Sequence, residues 1–105
     1  MEKATAERLT ELAPKLGKFL DLHPDEQEWL LPLLGKAERR AVLILEEINN
    51  HPLTFKEIGA LTDTHPTTVK QILTALSNGG LNFRVSKTGR WSTPVGGRNR
   101  KLIKL

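Results

Sequence analysis

Five polar side chains in the stretch 66–78 have the types and the spacing to form hydrogen bonds with a nucleic acid. At about 100° per residue along a helix, one side carries Thr67, Lys70, Gln71, Thr74 and Asn78. The set donates and accepts hydrogen bonds, includes one cation and contains no carboxylate. Such a surface can enter the major groove of DNA and contact base edges. Gln71 is the best candidate for direct base recognition, because its amide can pair bidentately with adenine.

Three further cations fall in a predicted β-hairpin. Residues 81–85 and 91–93 alternate apolar and polar side chains, as strands do, and the turn between them contains a glycine able to take a positive φ angle. On this hairpin, Arg84, Lys87 and Arg90 are free to contact phosphates or a minor groove. The side chains expected to face the core are Leu81, Phe83 and Val85.

The charges of the chain are unevenly distributed. Residues 1–63 hold 8 Lys and Arg against 12 Asp and Glu, whereas residues 64–105 hold 8 Lys and Arg and no Asp or Glu. The net charge of +4 therefore conceals a strongly basic second part. A basic segment of this length indicates an anionic partner, and we expect nucleic acid, the alternative being a merely solvated surface.

Two short helices joined by a tight turn are predicted to position the polar face. Thr54 and Glu57 form the T-x-x-E capping box that starts the first helix. Gly59 has no side chain and lets the second helix cross closely. The turn contains Asp63, a residue type that tolerates the left-handed conformation. The second helix is predicted to begin at Pro66, since proline is favoured at the first helical position.

The second helix also carries an apolar stripe that we expect to face the core. Its members are Val69, Ile72, Leu73 and Leu76. His65 is predicted to be the N-cap of this helix, and a contact with phosphate is the alternative role for its side chain.

These two helices resemble the helix-turn-helix of bacterial transcription regulators and, together with the hairpin, the winged-helix branch of that family. The matched positions are Glu57-Ile58-Gly59, Thr62, Pro66-Thr67-Thr68-Val69, Leu76 and Gly80-Leu81. Asp63 stands where the family usually has glycine, and Thr64 where a small hydrophobic residue is common.

The resemblance implies a mainly α protein with a small β-hairpin wing, that is, a winged helix-turn-helix with an added N-terminal helical arm. Its expected partner is double-stranded DNA. The predicted DNA-binding residues are Pro66, Thr67, Thr68, Lys70, Gln71 and Thr74 in the second helix and Arg84, Lys87 and Arg90 in the wing. We divide the chain into an arm, 1–34, a DNA-binding domain, 35–95, and a basic C-terminal tail, 96–105.

The arm is predicted to contain a helix over residues 1–22. Its apolar residues Leu9, Leu12, Leu16 and Phe19 follow a coiled-coil-like spacing. This spacing favours a homodimer formed through the arm, and the alternative is a helix packed on the core of its own chain. Pro14 breaks the pattern and predicts either two short helices or one kinked helix.

After this first helix, the chain is predicted to form a short helix after His23 and a longer one over 36–50. The longer helix has a buried stripe of Ala37, Ala41, Ile44, Leu45 and Ile48. Between them, the apolar run 29–34 is either a core anchor or a surface for a partner. Leu53 is expected to pair with the wing as a very short strand, and Trp91 to pack rather than to stack on a base.

Several kinds of chemistry are not expected. The chain has no cysteine, its three histidines lack ligand spacing, and no phosphate loop or nucleophile motif is present, so we predict no metal, no cofactor and no enzymatic activity. No signal peptide or membrane span is visible, which favours a cytoplasmic protein. No small-molecule effector can be identified.

The sequence therefore predicts a sequence-specific transcriptional regulator that contacts the major groove with helix 66–78 and the backbone or minor groove with wing 84–90. One alternative is a winged-helix module for protein–protein interaction, since fold alone does not fix function. Another is a DNA-binding protein of replication or plasmid maintenance. The tail cations Arg98, Arg100 and Lys101 form either a phosphate-binding arm or a solvated segment.

Overall fold

Residues 1–93 are described by a computed structural model, and the tail predicted over 96–105 lies outside them. The structure is mainly helical with a small antiparallel hairpin. Its elements are α1 (Lys3–Phe19), α2 (Pro24–Leu30), a single 3₁₀ turn (Leu31–Leu33), α3 (Lys36–Ile48), α4 (Phe55–Thr62), α5 (Pro66–Asn78), β1 (Arg84–Val85) and β2 (Trp91–Ser92). Among these described residues, no helix is both long enough and apolar enough to cross a membrane.

One hydrophobic core joins α1, α3, α4 and α5. The stripe predicted for α5 is confirmed, because Val69, Ile72, Leu73 and Leu76 are all buried. The stripe predicted for α3 is confirmed as well: Ala41, Ile44, Leu45 and Ile48 are buried and Ala37 packs against them. The 3.6-residue period of the apolar positions therefore predicted the inward faces of both helices correctly.

Helix α1 packs on the core of its own chain. Leu9, Leu16 and Phe19 are buried there, and Leu12 is partly buried against them. The helix lies mainly against α5 and also contacts α3. Its apolar seam is thus occupied within one molecule, which is the second of the two interpretations that the sequence allowed. The helix is continuous through Pro14.

The crossing of α1 and α5 is unusually close at Gly79. A methyl group placed on Gly79 would overlap with the carbonyl oxygen of Thr10 and the side chain of Ala13. In addition, the Thr10 hydroxyl donates to the carbonyl oxygen of Ala75 across the interface and to that of Ala6 within α1, each at 3.0 Å. Gly79 and Thr10 therefore set the distance between the two helices.

Helix α2 is attached to the end of α1 by Gln27. The buried amide nitrogen Nε2 donates to the carbonyl oxygens of Phe19 and Leu20 at 3.2 Å and of Leu22 at 3.0 Å. The last carbonyl groups of a helix have no partner within that helix, so Gln27 supplies donors where α1 ends. This capping fixes the position of α2 on the domain.

The hairpin is joined to the helical layer by Leu53, as predicted. Its amide donates to the carbonyl oxygen of Trp91 at 3.0 Å, and the Trp91 amide donates back at 2.7 Å. The Trp91 ring contacts Phe55 and Phe83, with ring centroids 5.5 and 5.4 Å away, which confirms a packing role. The prediction that Val85 faces the core was wrong, because its side chain is 54% exposed.

Candidate nucleic-acid interface

Helix α5 begins at Pro66, where the sequence predicted it. His65 is the N-cap, and its Nδ1 accepts a hydrogen bond from the Thr67 amide at 3.2 Å. An N-cap acceptor satisfies one of the amide groups that have no partner within the helix. The interpretation of His65 as a cap is therefore confirmed, and its imidazole is oriented by the backbone of the first turn.

The polar face of α5 is open to solvent. Pro66, Thr67, Lys70, Gln71, Thr74 and Asn78 are exposed, and Thr68 is half-buried. Because the opposite face is fixed in the core, rotation of the helix about its axis is blocked and the Cα–Cβ bonds of these residues keep their direction. An exposed face of this composition on a fixed helix is suited to hydrogen bonding with a grooved, anionic surface.

The turn between α4 and α5 is short and closely packed. Asp63 adopts the left-handed conformation, with φ 52° and ψ 50°, as predicted. The Thr64 amide donates to the carbonyl oxygen of Gly59 at 2.9 Å. A side chain at Gly59 would overlap with the carbonyl oxygen of Thr64, so it is the turn that requires this glycine. The second helix, which the sequence predicted to approach here, lies only at ordinary contact distance through Pro66.

Arg40 of α3 braces this turn, and sequence reasoning missed it. Its Nη1 donates to the carbonyl oxygens of Thr62 and Asp63 at 3.3 and 3.0 Å, and to the Thr64 hydroxyl. One guanidinium thus binds three consecutive residues of the turn. No local pattern could have revealed the contact, since Arg40 lies more than twenty residues away along the chain.

The hairpin presents its cations in two different situations. Arg84 and Lys87 are exposed. Arg90 instead donates to Oε1 of Glu57 at 2.6 Å and approaches the carbonyl oxygen of Pro52 at 3.5 Å. The ion pair connects the end of the hairpin turn to the start of α4. Arg90 is therefore oriented by α4, whereas Arg84 and Lys87 extend into solvent.

Glu57 bonds both the start of α4 and the hairpin. Its Oε1 accepts from the Thr54 amide at 3.0 Å while its own amide donates to the Thr54 hydroxyl at 3.2 Å, which confirms the capping box. The Thr54 amide, and after it the Thr54 hydroxyl and the Arg90 guanidinium, hold the pKa of Glu57 below its usual value, and desolvation only partly opposes them. The carboxylate form thus stabilises the helix start and the hairpin together.

The polar face of α5 forms one wall of a groove whose other wall is the first part of α1. The groove has a volume of about 610 Å³. Glu2, Lys3 and Glu7 line it on the α1 side, opposite Lys70 and Gln71. Within it, the amino group of Met1 donates to Oε1 of Gln71 at 3.2 Å. The candidate base-contacting residue therefore already has a hydrogen-bond partner, which a base edge must replace.

No family model, curated protein or solved structure matches this chain. The candidate interface is therefore defined by its own geometry. Two of its features adjoin along the chain: the turn braced by Arg40 leads directly into α5, which carries the exposed polar face. Within residues 1–93, no group of three His, Asp or Glu side chains is placed to hold a metal ion.

Proposed function

We propose that this protein binds double-stranded DNA as a winged helix-turn-helix regulator of transcription, with α5 in the major groove. The observation that carries the proposal is the solvent-exposed polar face of α5, from Thr67 to Thr74, on a helix whose opposite face is buried. A rigid helix that presents amide, hydroxyl and ammonium groups can place them against base edges without first having to order its backbone.

In this arrangement the residues of α5 have different tasks. Gln71 pairs with a base edge, and adenine is the base that an amide recognises bidentately. Lys70 and Thr67 bind the phosphates that flank this base. Gln71 exchanges its bond with the Met1 amino group for a bond with the base, so the hydrogen-bonding capacity of its amide oxygen is preserved.

The hairpin acts as the wing and supplies affinity rather than sequence preference. Arg84 and Lys87 are exposed and can reach the backbone or a minor groove. Arg90 contributes by fixing the hairpin to Glu57. The described residues that follow Asp63 contain no carboxylate, which favours attraction to phosphate, whereas Glu2 and Glu7 on the α1 side of the groove oppose it.

A module for protein–protein interaction is the second candidate. The observation that favours it is the exposure of Trp29, 81% of whose surface is open to solvent. Leu33, four residues further along the chain, is exposed as well, and several large apolar side chains on one surface segment are typical of a protein contact. The two candidates predict different dependence on salt: DNA binding weakens steeply as salt rises, because phosphate contacts release counterions, whereas a contact through apolar surface is much less sensitive.

The test is binding to random duplex DNA, measured by fluorescence anisotropy across a salt series. We expect the logarithm of the affinity to fall linearly with the logarithm of salt concentration, with a slope of several units. Lys70→Ala should reduce the slope by about 1, whereas Lys15→Ala, an exposed lysine in α1, should leave it unchanged. Absence of binding even at about 50 mM salt would exclude the proposal and leave the protein-interaction module.

A further inference from the structure

Two large apolar side chains extend from the surface around α2. Trp29 is 81% and Leu33 78% exposed, although each belongs to an ordered turn. Gln27, only two residues before Trp29, is buried and bonded to the end of α1. The indole is therefore held outward on a fixed support. Exposed apolar groups on a rigid element are typical of a surface that another molecule covers.

Carboxylates surround this apolar surface. Asp25 and Glu28 line a shallow depression together with Trp29, and Glu26 is exposed on the same helix. We call the group Asp25, Glu28 and Trp29 the Trp29 patch. The complementary surface for the Trp29 patch is an apolar pocket bordered by cations, because a like-charged surface would repel the carboxylates and a purely apolar one would remove their water without replacing it.

The same chain carries a surface of this description on α3. A groove of about 380 Å³ is lined by Lys36, Arg39, Arg40, Leu43 and Thr62. We call it the α3 groove. Its apolar member, Leu43, is 43% exposed, and its three cations stand along one face of the helix. Arg39 has no ion-pair partner within residues 1–93.

We propose that a second copy of this chain covers the Trp29 patch with its α3 groove. The indole packs on Leu43 of the other copy beside the guanidinium of Arg39, where a cation–π contact is favourable. Glu28 lies toward the cations of the groove. Since the patch and the groove are different surfaces, the copies either form a two-fold pair that makes the contact twice or continue as a head-to-tail chain.

The first test is sedimentation equilibrium of the full chain over a range of concentrations. We expect reversible self-association that Trp29→Ala weakens by at least about tenfold, since exposed tryptophans dominate such contacts. Truncation of this exposed side chain leaves the core intact. Val85→Ala, which removes an exposed apolar side chain of the hairpin, is the matched control and should change nothing. A wild-type protein that stays monomeric throughout would overturn the proposal.

The second test exchanges charges between the two surfaces. Glu28→Lys and Arg39→Glu should each abolish self-association, because each places like charges across the contact. An equimolar mixture of the two variants should associate again, since the lysine introduced in one copy then meets the glutamate introduced in the other. Failure of the mixture to associate would contradict the pairing of patch and groove. If the wild type does not self-associate and Trp29→Ala lowers the free energy of unfolding of the monomer, the chain covers its own tryptophan and the proposal is wrong.

Discussion

The Cα atom of Gly79 faces the carbonyl oxygen of Thr10, and no side chain fits between them. This close approach of the two helices depends partly on the sequence of α1. Pro14 has no amide hydrogen, so the carbonyl of Thr10 lacks the donor that residue i+4 normally provides in a helix. This carbonyl lies at the point where α5 ends and approaches most closely. A proline inside α1 and a glycine at the end of α5 therefore belong to the same contact.

Gly79→Ala should destabilise the protein by about 1–3 kcal/mol, the usual cost of forcing extra atoms into a packed interface. The added methyl group meets a backbone oxygen and Ala13, neither of which can rotate away. Urea denaturation followed by circular dichroism measures the change. Ser77→Ala, an exposed substitution in the same helix, is the control and should have little effect. An equal stability of the two variants would mean that α1 does not pack on α5 at this distance.

Arg40→Met should loosen the turn before α5 while it keeps the aliphatic part of the side chain. Three hydrogen bonds to Thr62, Asp63 and Thr64 are lost, and because the guanidinium is exposed we expect a loss of about 1 kcal/mol in the free energy of unfolding. Hydrogen exchange of the turn amides should accelerate. Arg39→Met, on the neighbouring position, should change neither quantity in dilute solution.

Glu57→Gln should make the free energy of unfolding less sensitive to a fall in pH. The folded protein lowers the pKa of Glu57 from its ordinary value of 4.5, so the carboxylate stabilises the fold above that pH, and this contribution disappears as pH falls through the folded-state pKa. The wild type should be more stable than the variant at neutral pH, and the gap should close in acid. Thermal unfolding between about pH 3 and pH 7 measures the gap, with Glu47→Gln in α3 as the comparison. A gap that is constant over this range would contradict the mechanism.

Gln71→Ala and Lys87→Ala should affect DNA binding differently. Loss of the Gln71 amide should relax preference at one base pair, with about 1–3 kcal/mol less discrimination there. Loss of Lys87 should weaken all sequences alike and lower the salt slope by about 1. Selection from a random duplex library, followed by titration of the selected and random sequences, separates the two effects. Equal losses on both sequences from Gln71→Ala would remove Gln71 from base recognition.

The sequence predicted best where a local rule governs the structure. The capping box of Thr54, the proline at the first position of α5 and the left-handed Asp63 each depend on neighbours within a few residues. The buried stripe of α5 follows from helical period alone. The brace from Arg40 and the contact between Thr10 and Gly79 could not be predicted, because both depend on how distant elements are placed in space.

Two apolar residues show a different limit. Val85 is paired with Trp91 and so shares the face that carries Phe83, as alternation predicts. The core, however, ends at Phe83, and the side chain next to the turn extends beyond it. Helical period likewise places Leu61 on the face of Ile58, but Leu61 is exposed while Ile58 is fully buried. The spacing of apolar residues predicts which side of a helix or strand a side chain lies on. Whether other residues cover that side chain depends on the rest of the fold.

The packing of α1 has a practical meaning for anyone who wishes to graft this DNA-binding candidate onto another protein. Leu9, Ala13 and Leu16 belong to the core that supports α5. A chimera that begins at α3 would lack α1, so the side of α5 that packs on α1 would be exposed to solvent. The carbonyl oxygen of Ala75 would also lose its hydrogen bond from the Thr10 hydroxyl. The smallest transplantable unit therefore begins at α1, and a fusion partner is better joined through an exposed loop than in place of the first helix.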